Sequence, residues 1–329
     1  MTISRNAERW FRKHQRALPW RSMYDPYHVW LSEVMLQQTR MEVVLRYYQR
    51  FLRQFPTIED LARASQDEVA AAWSGLGYYR RARMLRDGAI AVRDRFGGSL
   101  PAEAAALRTI PGIGRYTAGA IASIAFDQPA PIVDGNIARL LARLCGARTV
   151  EAAWRASERL VRDARSPRMC NQALMEIGAL ICKPAEPACD RCPLRQDCRA
   201  FATGRTRIAP RAKPATRELR IPLFIVSDRR GRILMRRHSG RLMGGMFHLP
   251  HGNGLLLRSC RFPVPPSRSD LGSFRHSVTN RRITFSVFAV TGQRRRANGY
   301  EWIDPHRLCD LPHPSYVRKA LQLAGIGKA

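Results

Sequence analysis

The chain has 329 residues (37.4 kDa), 45% of them hydrophobic, which is enough to bury a full core and to build two domains. The longest apolar stretches fall short of the roughly eighteen residues a membrane helix needs, and Met1–Arg16 is polar and mixed in charge, so a membrane span and a secretory leader are not expected and the compartment reads as cytoplasmic. Lys and Arg number 56 against 26 Asp and Glu, and a net charge of +30 points to a polyanion as partner, nucleic acid before acidic membrane.

Taken in chain order, residues 26–180 predict helix after helix. Apolar positions recur at helical spacing over 28–35, 43–51, 69–73, 82–92, 116–125 and 169–181, separated by Gly, Pro or Asp. A cysteine-dense tail closes this helical domain at residue 202. Residues 203–220 (TGRTRIAPRAKPATRELR) are basic, proline-containing and aperiodic, as a linker is. Beyond them 221–226, 232–235 and 284–290 predict strands and 315–323 a closing helix, giving an α+β domain over 221–329.

Within the helical domain four features carry chemistry. Residues 107–121 read as a helix end, a Pro-Gly-Ile-Gly turn and a new helix, in which Gly112 and Gly114 let the backbone present N–H groups to a phosphate. No G-K-[ST] follows, so this is not a nucleotide P-loop. Arg80, Arg81, Arg83 and Arg86 follow Gly75-Leu76-Gly77-Tyr78-Tyr79 and are expected to add to a phosphate-facing surface. Asp134, in Val133-Asp134-Gly135-Asn136, is placed either to cap the helix that starts there or to act in a pocket. Glu33 lies in the apolar run 29–36, where burial would raise its pKa, although a solvent-facing boundary glutamate is the plainer alternative.

Four of the eight cysteines, Cys182, Cys189, Cys192 and Cys198, are spaced C-x6-C-x2-C-x5-C. In a reducing compartment thiols so close together read as a metal site before disulfides, and both zinc and an iron–sulfur cluster take four thiolates. Cys145, Cys170, Cys260 and Cys309 are scattered and read as apolar fillers.

Together, LPWR (18–21), WLSEVMLQQT (30–39), GLGYYRRAR (75–83), IPGIGRYTAGAI (110–121), VDGN (133–136), NQALMEIGALIC (171–182) and the four-cysteine spacing resemble the adenine DNA glycosylase family of the endonuclease III, helix-hairpin-helix superfamily. The resemblance implies a mostly α helix-hairpin-helix glycosylase module over 1–202 with a single [4Fe–4S] cluster on residues 182–198, and a smaller α+β Nudix-like lesion-recognition domain over 221–329. It implies a monomer acting on double-stranded DNA, with no membrane partner and at the bacterial nucleoid, that excises adenine mispaired with 8-oxoguanine or guanine. Glu33 matches the acid that protonates adenine N7, and Asp134 the carboxylate that stabilises the sugar cation, supported by Tyr116 and Asn136. Gln37 and Gln38 match residues that probe the DNA at the lesion, and Tyr78 the tyrosine that wedges into the stack. Glu176 matches an acidic position supporting the active site.

Where that family's lesion reader ends in Phe-Ser-His, this chain has Val278-Thr279-Asn280, so Thr279 and Asn280 are expected to read the opposite base in an altered way. His248 stands where many relatives carry an acid, and no carboxylate cluster for Nudix hydrolysis is present. Tyr116 also occupies the position at which strand-cutting relatives place a Schiff-base lysine, and no lysine lies between Lys13 and Lys183, so base removal without strand cleavage is expected. Two alternatives remain at this level: a pyrimidine-directed glycosylase/lyase of the same superfamily, and a non-catalytic iron–sulfur DNA-binding protein.

Overall fold

The computed structural model describes residues 2–207, 215–239, 245–252, 260–263, 265–278, 281–291, 299–308 and 311–326. Thr279 and Asn280 lie outside the described residues. Contacts divide the chain into two units, Met1–Arg63 with Met84–Ala212, and Ala64–Arg83 with Lys213–Ala329. Segment 64–83, expected to be an ordinary part of the helical domain, thus groups with the C-terminal residues. No helix among the described residues is long and apolar enough to cross a membrane.

The helices in chain order are α1 (Thr2–His14), α2 (Pro26–Leu36), α3 (Met41–Gln54), α4 (Ile58–Arg63), α5 (Gln66–Ala72), α6 (Arg80–Phe96), α7 (Ala104–Leu107), α8 (Arg115–Ile124), α9 (Gly135–Cys145), α10 (Val150–Arg162), α11 (Pro167–Glu176) and α12 (Arg199–Ala202). A π-helical turn, Ile177–Ile181, extends α11. Helix α1 was not expected from its polar sequence; it buries Ala7 and Phe11, packs on α11, and its Glu8 accepts the main-chain N–H of Arg165 at 2.9 Å. Asp25 caps α2 by accepting the His28 N–H, with Pro26 in the first turn, where a missing N–H costs nothing. Eight residues of α2 from Tyr27 to Met35 are buried, and so is every residue of α8 from Thr117 onward. Helices apolar on all sides are central ones, and these two pack on each other.

The segment between α8 and α9 is what places Asp134. Ser157 on α10 holds both sides of Ile132, accepting its N–H at 3.2 Å and donating to its carbonyl at 2.9 Å. Asn171 on α11 donates to the Ala130 carbonyl at 2.9 Å and to Ser123 Oγ at 2.8 Å. Gly119 lets this segment lie directly on α8, because a Cβ there would stand 2.2 Å from the Pro131 carbonyl oxygen.

The second unit carries the strands β1 (Arg217–Ser227), β2 (Ile233–Arg237), β3 (Phe247–His248), β4 (Ser269–Val278), β5 (Arg281–Thr291) and β6 (Tyr300–Ile303), and the helix α13 (Ser315–Leu323). They form one mixed sheet of order β3-β2-β1-β5-β4, with β6 paired to β2 and β1 parallel to β5 over its whole length. Along β1 successive residues alternate between two cores. Ile221, Leu223 and Ile225 join Phe285, Tyr316 and Val317 under α13, whereas Phe224 and Val226 join Leu234 and Val290 on the other face. The strands expected at 221–226, 232–235 and 284–290 and the closing helix are present. Strand β1 begins at Arg217, inside the expected linker, because full-length pairing with β5 satisfies its polar first residues as well. Strands β3, β4 and β6 were not expected: β4 (SDLGSFRHSV) lacks apolar alternation and carries an irregularity in its pairing at Asp270–Gly272. His248, on β3, is buried and shares a 2.6 Å hydrogen bond with the Tyr316 hydroxyl, which makes it a core residue.

Gly119→Ala should lower the stability of the protein by about 2 kcal/mol or more, since the colliding atom is a main-chain oxygen that cannot turn aside. Urea denaturation followed by circular dichroism reads the effect directly.

Candidate active site and cysteine pocket

In the first unit, residues from α2, α8, α9, α11 and the segment before α2 line an open cleft of about 680 Å3. That volume is within the range of small-molecule sites and admits one base with its sugar. Glu33, Gln37, Gln38, Tyr116, Asp134, Asn136 and Glu176, dispersed over 144 positions of sequence, all border it. Neither a lysine nor a cysteine is among its lining residues.

Glu33 is only 5% exposed. Burial pushes its carboxyl up to about 7, with the charge of Asp134 adding to the rise, while the Tyr116 hydroxyl, donating to Glu33, and the Arg21 guanidinium draw it down. The expectation of a raised pKa from apolar surroundings is met, and the solvent-facing alternative is excluded. Tyr116 is itself held neutral far above the usual phenol range, first by burial and then by the two carboxylates.

Asp134 answers both readings of its sequence. Its Oδ1 accepts the Ile137 N–H at 2.7 Å and so caps α9, and its Oδ2 accepts from Asn136 Nδ2 at 3.3 Å while the residue borders the cleft. Asn136 in turn accepts at Oδ1 from Arg139, 3.0 Å away. Arg139 also donates to the carbonyls of Cys182 (2.9 Å) and Gly178 (2.7 Å), so one guanidinium ties the cap of α9 to the π-turn and to the first cysteine.

Glu176, 1% exposed, is an ion-pair hub. Arg16 Nε donates to both its oxygens at 3.0 and 2.9 Å, and Arg21 Nη2 stands 2.8 Å from Oε1. Arg21 further donates through Nε to Gln172 Oε1 at 2.8 Å and lies over the Phe11 ring. Sequence reasoning missed Arg16, Arg21, Gln172 and Arg139. Arg21, inside the LPWR motif, Gln172, inside NQALMEIGALIC, and Arg139, one helical turn after Asn136, stood where a signal existed, and Arg16 did not.

The turn glycines and arginines divide. Gly112 has φ +81 and a Cβ there would meet Met84 at 2.8 Å, whereas Gly114 has an extended φ of −85, caps α8 and faces open space. Tyr78 is 48% exposed with φ +49. Of the four arginines after it only Arg80 is freely exposed. Arg81, expected to face phosphate, is turned inward: it donates to the carbonyls of Leu76 and Gly77 and lies over the rings of Trp73 and Tyr78. Arg83 is half-buried, and Arg86 faces Asp87 at 4.0 Å.

Cys182, Cys189, Cys192 and Cys198 line a single pocket walled by Leu140, Leu144, Ile181 and Leu194. Among the described residues no three His, Cys, Asp or Glu side chains form a group suited to one metal ion. Buried Arg143 on α9 reaches into the pocket, donating to Cys182 Sγ at 3.2 Å and to the carbonyls of Lys183 and Pro184 at 2.6 Å each, and its buried Nε has no acceptor among the described residues. Burial pushes the Cys192 thiol up to about 11, with the other three cysteines adding, so a thiolate set here requires positive charge.

The description "HhH-GPD superfamily base excision DNA repair protein" matches residues 31–164. The adenine DNA glycosylase of Rattus norvegicus is 46% identical over 212 residues, 60% of this chain and 41% of that protein. The adenine DNA glycosylase of Homo sapiens is 44% identical over 207 residues, 58% of this chain and 38% of that protein. This chain thus spans about two fifths of the length of these curated relatives. Among solved structures, a thermostable thymine-DNA glycosylase superposes with a TM-score of 0.57 at 28% identity, covering 61% of this chain and 95% of that one. Residues 31–164 thus match the HhH-GPD superfamily of base excision DNA repair proteins, and the helical part of the chain is similar to the adenine DNA glycosylases.

Proposed function

We propose that the protein is a monofunctional, monomeric DNA glycosylase that removes adenine opposite 8-oxoguanine or guanine from duplex DNA. The observation that carries the reading is the buried Glu33 carboxyl, raised to about 7 beside Asp134 in a nucleotide-sized cleft. Adenine leaves poorly as an anion, so cleavage of its bond to C1′ needs a proton on the base and negative charge near the developing sugar cation. Glu33 is protonated near neutrality and supplies the proton to N7. Asp134, oriented by the Ile137 N–H and Asn136, supplies the charge. Water then adds at C1′.

A stacked base cannot reach this cleft, so the nucleotide is flipped, with Tyr78 entering the gap and Gln37 and Gln38 meeting the bases beside it. Exposed Arg80 and the Gly112–Gly114 turn hold phosphates, and the +30 charge supplies the nonspecific attraction. The sheet unit is read as the Nudix-like opposite-base domain that the resemblance implies, with Thr279 and Asn280 as readers.

The likeness to a thymine-DNA glycosylase favours, as a second reading, a pyrimidine-directed enzyme of the same superfamily; a lyase of that kind would need an amine where Tyr116 carries a phenol, and among the described residues the cleft lining contains no lysine. A [4Fe–4S] cluster fits the four cysteines. They share one pocket, and the unpaired Nε of Arg143 offers a buried positive pole to an anionic group. Bound there, the cluster would serve as a structural crosslink of the 182–198 loop.

Four measurements test these assignments. Single-turnover release of adenine opposite 8-oxoguanine should fall by about a hundredfold or more in Glu33→Gln and in Asp134→Asn while duplex binding persists. Because burial raises the Glu33 pKa and the protonated form is the active one, the wild-type rate should be level below about pH 7 and fall about tenfold per unit above it. A rate indifferent to both substitutions would remove the two carboxylates from the chemistry, and no release by the wild type would favour the non-catalytic reading. Incubation with borohydride should trap no covalent complex and the strand should break only after alkali, whereas efficient trapping at the rate of base release would establish a lyase. Anaerobically purified protein should contain about four irons per chain, and one zinc with no iron would remove the cluster assignment.

A further inference from the structure

We propose that Ser74, Tyr79 and Arg318, joined at the main-chain carbonyl of His313, form a latch that positions Tyr78 for entry into the base stack, so that the C-terminal residues of the second unit govern base flipping. The proposal rests on the reading of Tyr78 as the wedge and adds the device that holds it in place.

The turn that carries Tyr78 is strained. Gly75, Gly77 and Tyr78 have φ of +104, +73 and +49, and a non-glycine residue at positive φ is strained in a way the surroundings must offset. The Tyr78 ring is nonetheless left 48% exposed, so little of the offset comes from its own burial. The turn is braced from two sides. From within, Arg81 donates to the carbonyls of Leu76 and Gly77 and Trp73 Nε1 donates to Gly77 at 3.2 Å. From the sheet side, the Tyr79 hydroxyl accepts the Gly75 N–H at 3.2 Å and donates to the His313 carbonyl at 3.1 Å.

Buried Ser74 donates to the same carbonyl at 3.2 Å and accepts from Arg318 Nη2, on α13, at 3.0 Å. One main-chain oxygen thus takes two hydroxyl donors, which uses both its lone pairs. His313 is itself fixed, 6% exposed with its Nδ1 hydrogen-bonded to the Leu311 carbonyl at 2.8 Å. An ion pair of Arg237 on β2 with Asp67 anchors the start of α5, so the stretch leading into the turn is tied to β2 at its start and to the His313 carbonyl and α13 at its end. Adjacent Tyr78 and Tyr79 then have opposite tasks: the first faces outward, and the second locks the peptide that aims it.

The test uses the full-length, cluster-loaded protein and a duplex with 2-aminopurine at the adenine position opposite 8-oxoguanine, read by stopped-flow fluorescence for flipping, alongside single-turnover release of adenine. Tyr79→Phe removes one hydroxyl, and Arg318→Gln, a half-exposed site, removes the second tie without touching the turn. Each should slow flipping about fivefold, leave release from an unpaired, single-stranded adenine unchanged, and add nothing to the loss in Tyr78→Ala when the two are combined. Losses that multiply with Tyr78→Ala, or that persist equally on the unpaired substrate, would show a general structural role and overturn the latch. Wild-type flipping in both latch variants beside a slow Tyr78→Ala overturns the latch alone. Wild-type flipping in Tyr78→Ala overturns the wedge reading and the latch with it. Thermal melts of each variant identify any loss that comes from unfolding.

Discussion

Two carboxyl groups facing one low-dielectric cleft cannot both be charged without cost, and the arrangement of the first unit follows from how that conflict is resolved. Glu33 is driven toward the neutral form because it sits in a helix apolar on all sides. Asp134 keeps two donors, a main-chain N–H of its own helix and the Asn136 amide, which fix the direction its oxygens face. Tyr116 remains a donor to Glu33 because burial, and after it the two carboxylates, suppress its ionisation. Two chemically similar side chains thus border one cleft in different environments, one buried in an apolar helix and the other held by two donors.

Maintaining this difference requires the backbone around Asp134 to be immovable. Ser157, Asn171 and the Cβ-free surface at Gly119 fix the extended segment before it, and Arg139 fixes the helix after it. Arg139 and Arg143 stand one helical turn apart and both bind the chain at Cys182. The cysteine pocket and the carboxylate cleft are therefore two ends of α9, and a displacement of the cysteine loop has a direct mechanical route to the Asp134 cap. The Glu176 hub performs the same service from α11, where Arg16 and Arg21 neutralise a buried carboxylate and bring the segment before α2 to the cleft wall.

Most of this site could be read from sequence because its residues occur in short motifs with chemical content: an aspartate before a helix, a glutamate in an apolar run, four spaced cysteines. Arg16 and Arg143 could not, because their roles depend on partners 160 and 39 positions away. The helices followed apolar periodicity, but β4 did not, since its pairing with β5 rather than its side-chain pattern makes it a strand. Arg81 was misjudged for a related reason. A charged residue in a basic run reads as solvated, and only the carbonyls of the strained turn beneath it turn the guanidinium inward.

The His313 carbonyl meets the Tyr79 hydroxyl across 234 positions of sequence, and Arg318 meets Ser74 across 244. Closing loops of that length is entropically expensive, so such contacts form late, after the local helices and the β1–β5 pair. During synthesis the turn at 75–79 leaves the ribosome long before the residues that brace it. It is then a strained loop with an exposed aromatic ring and two buried-type hydroxyls still in water, and it reaches its working shape only when α13 docks.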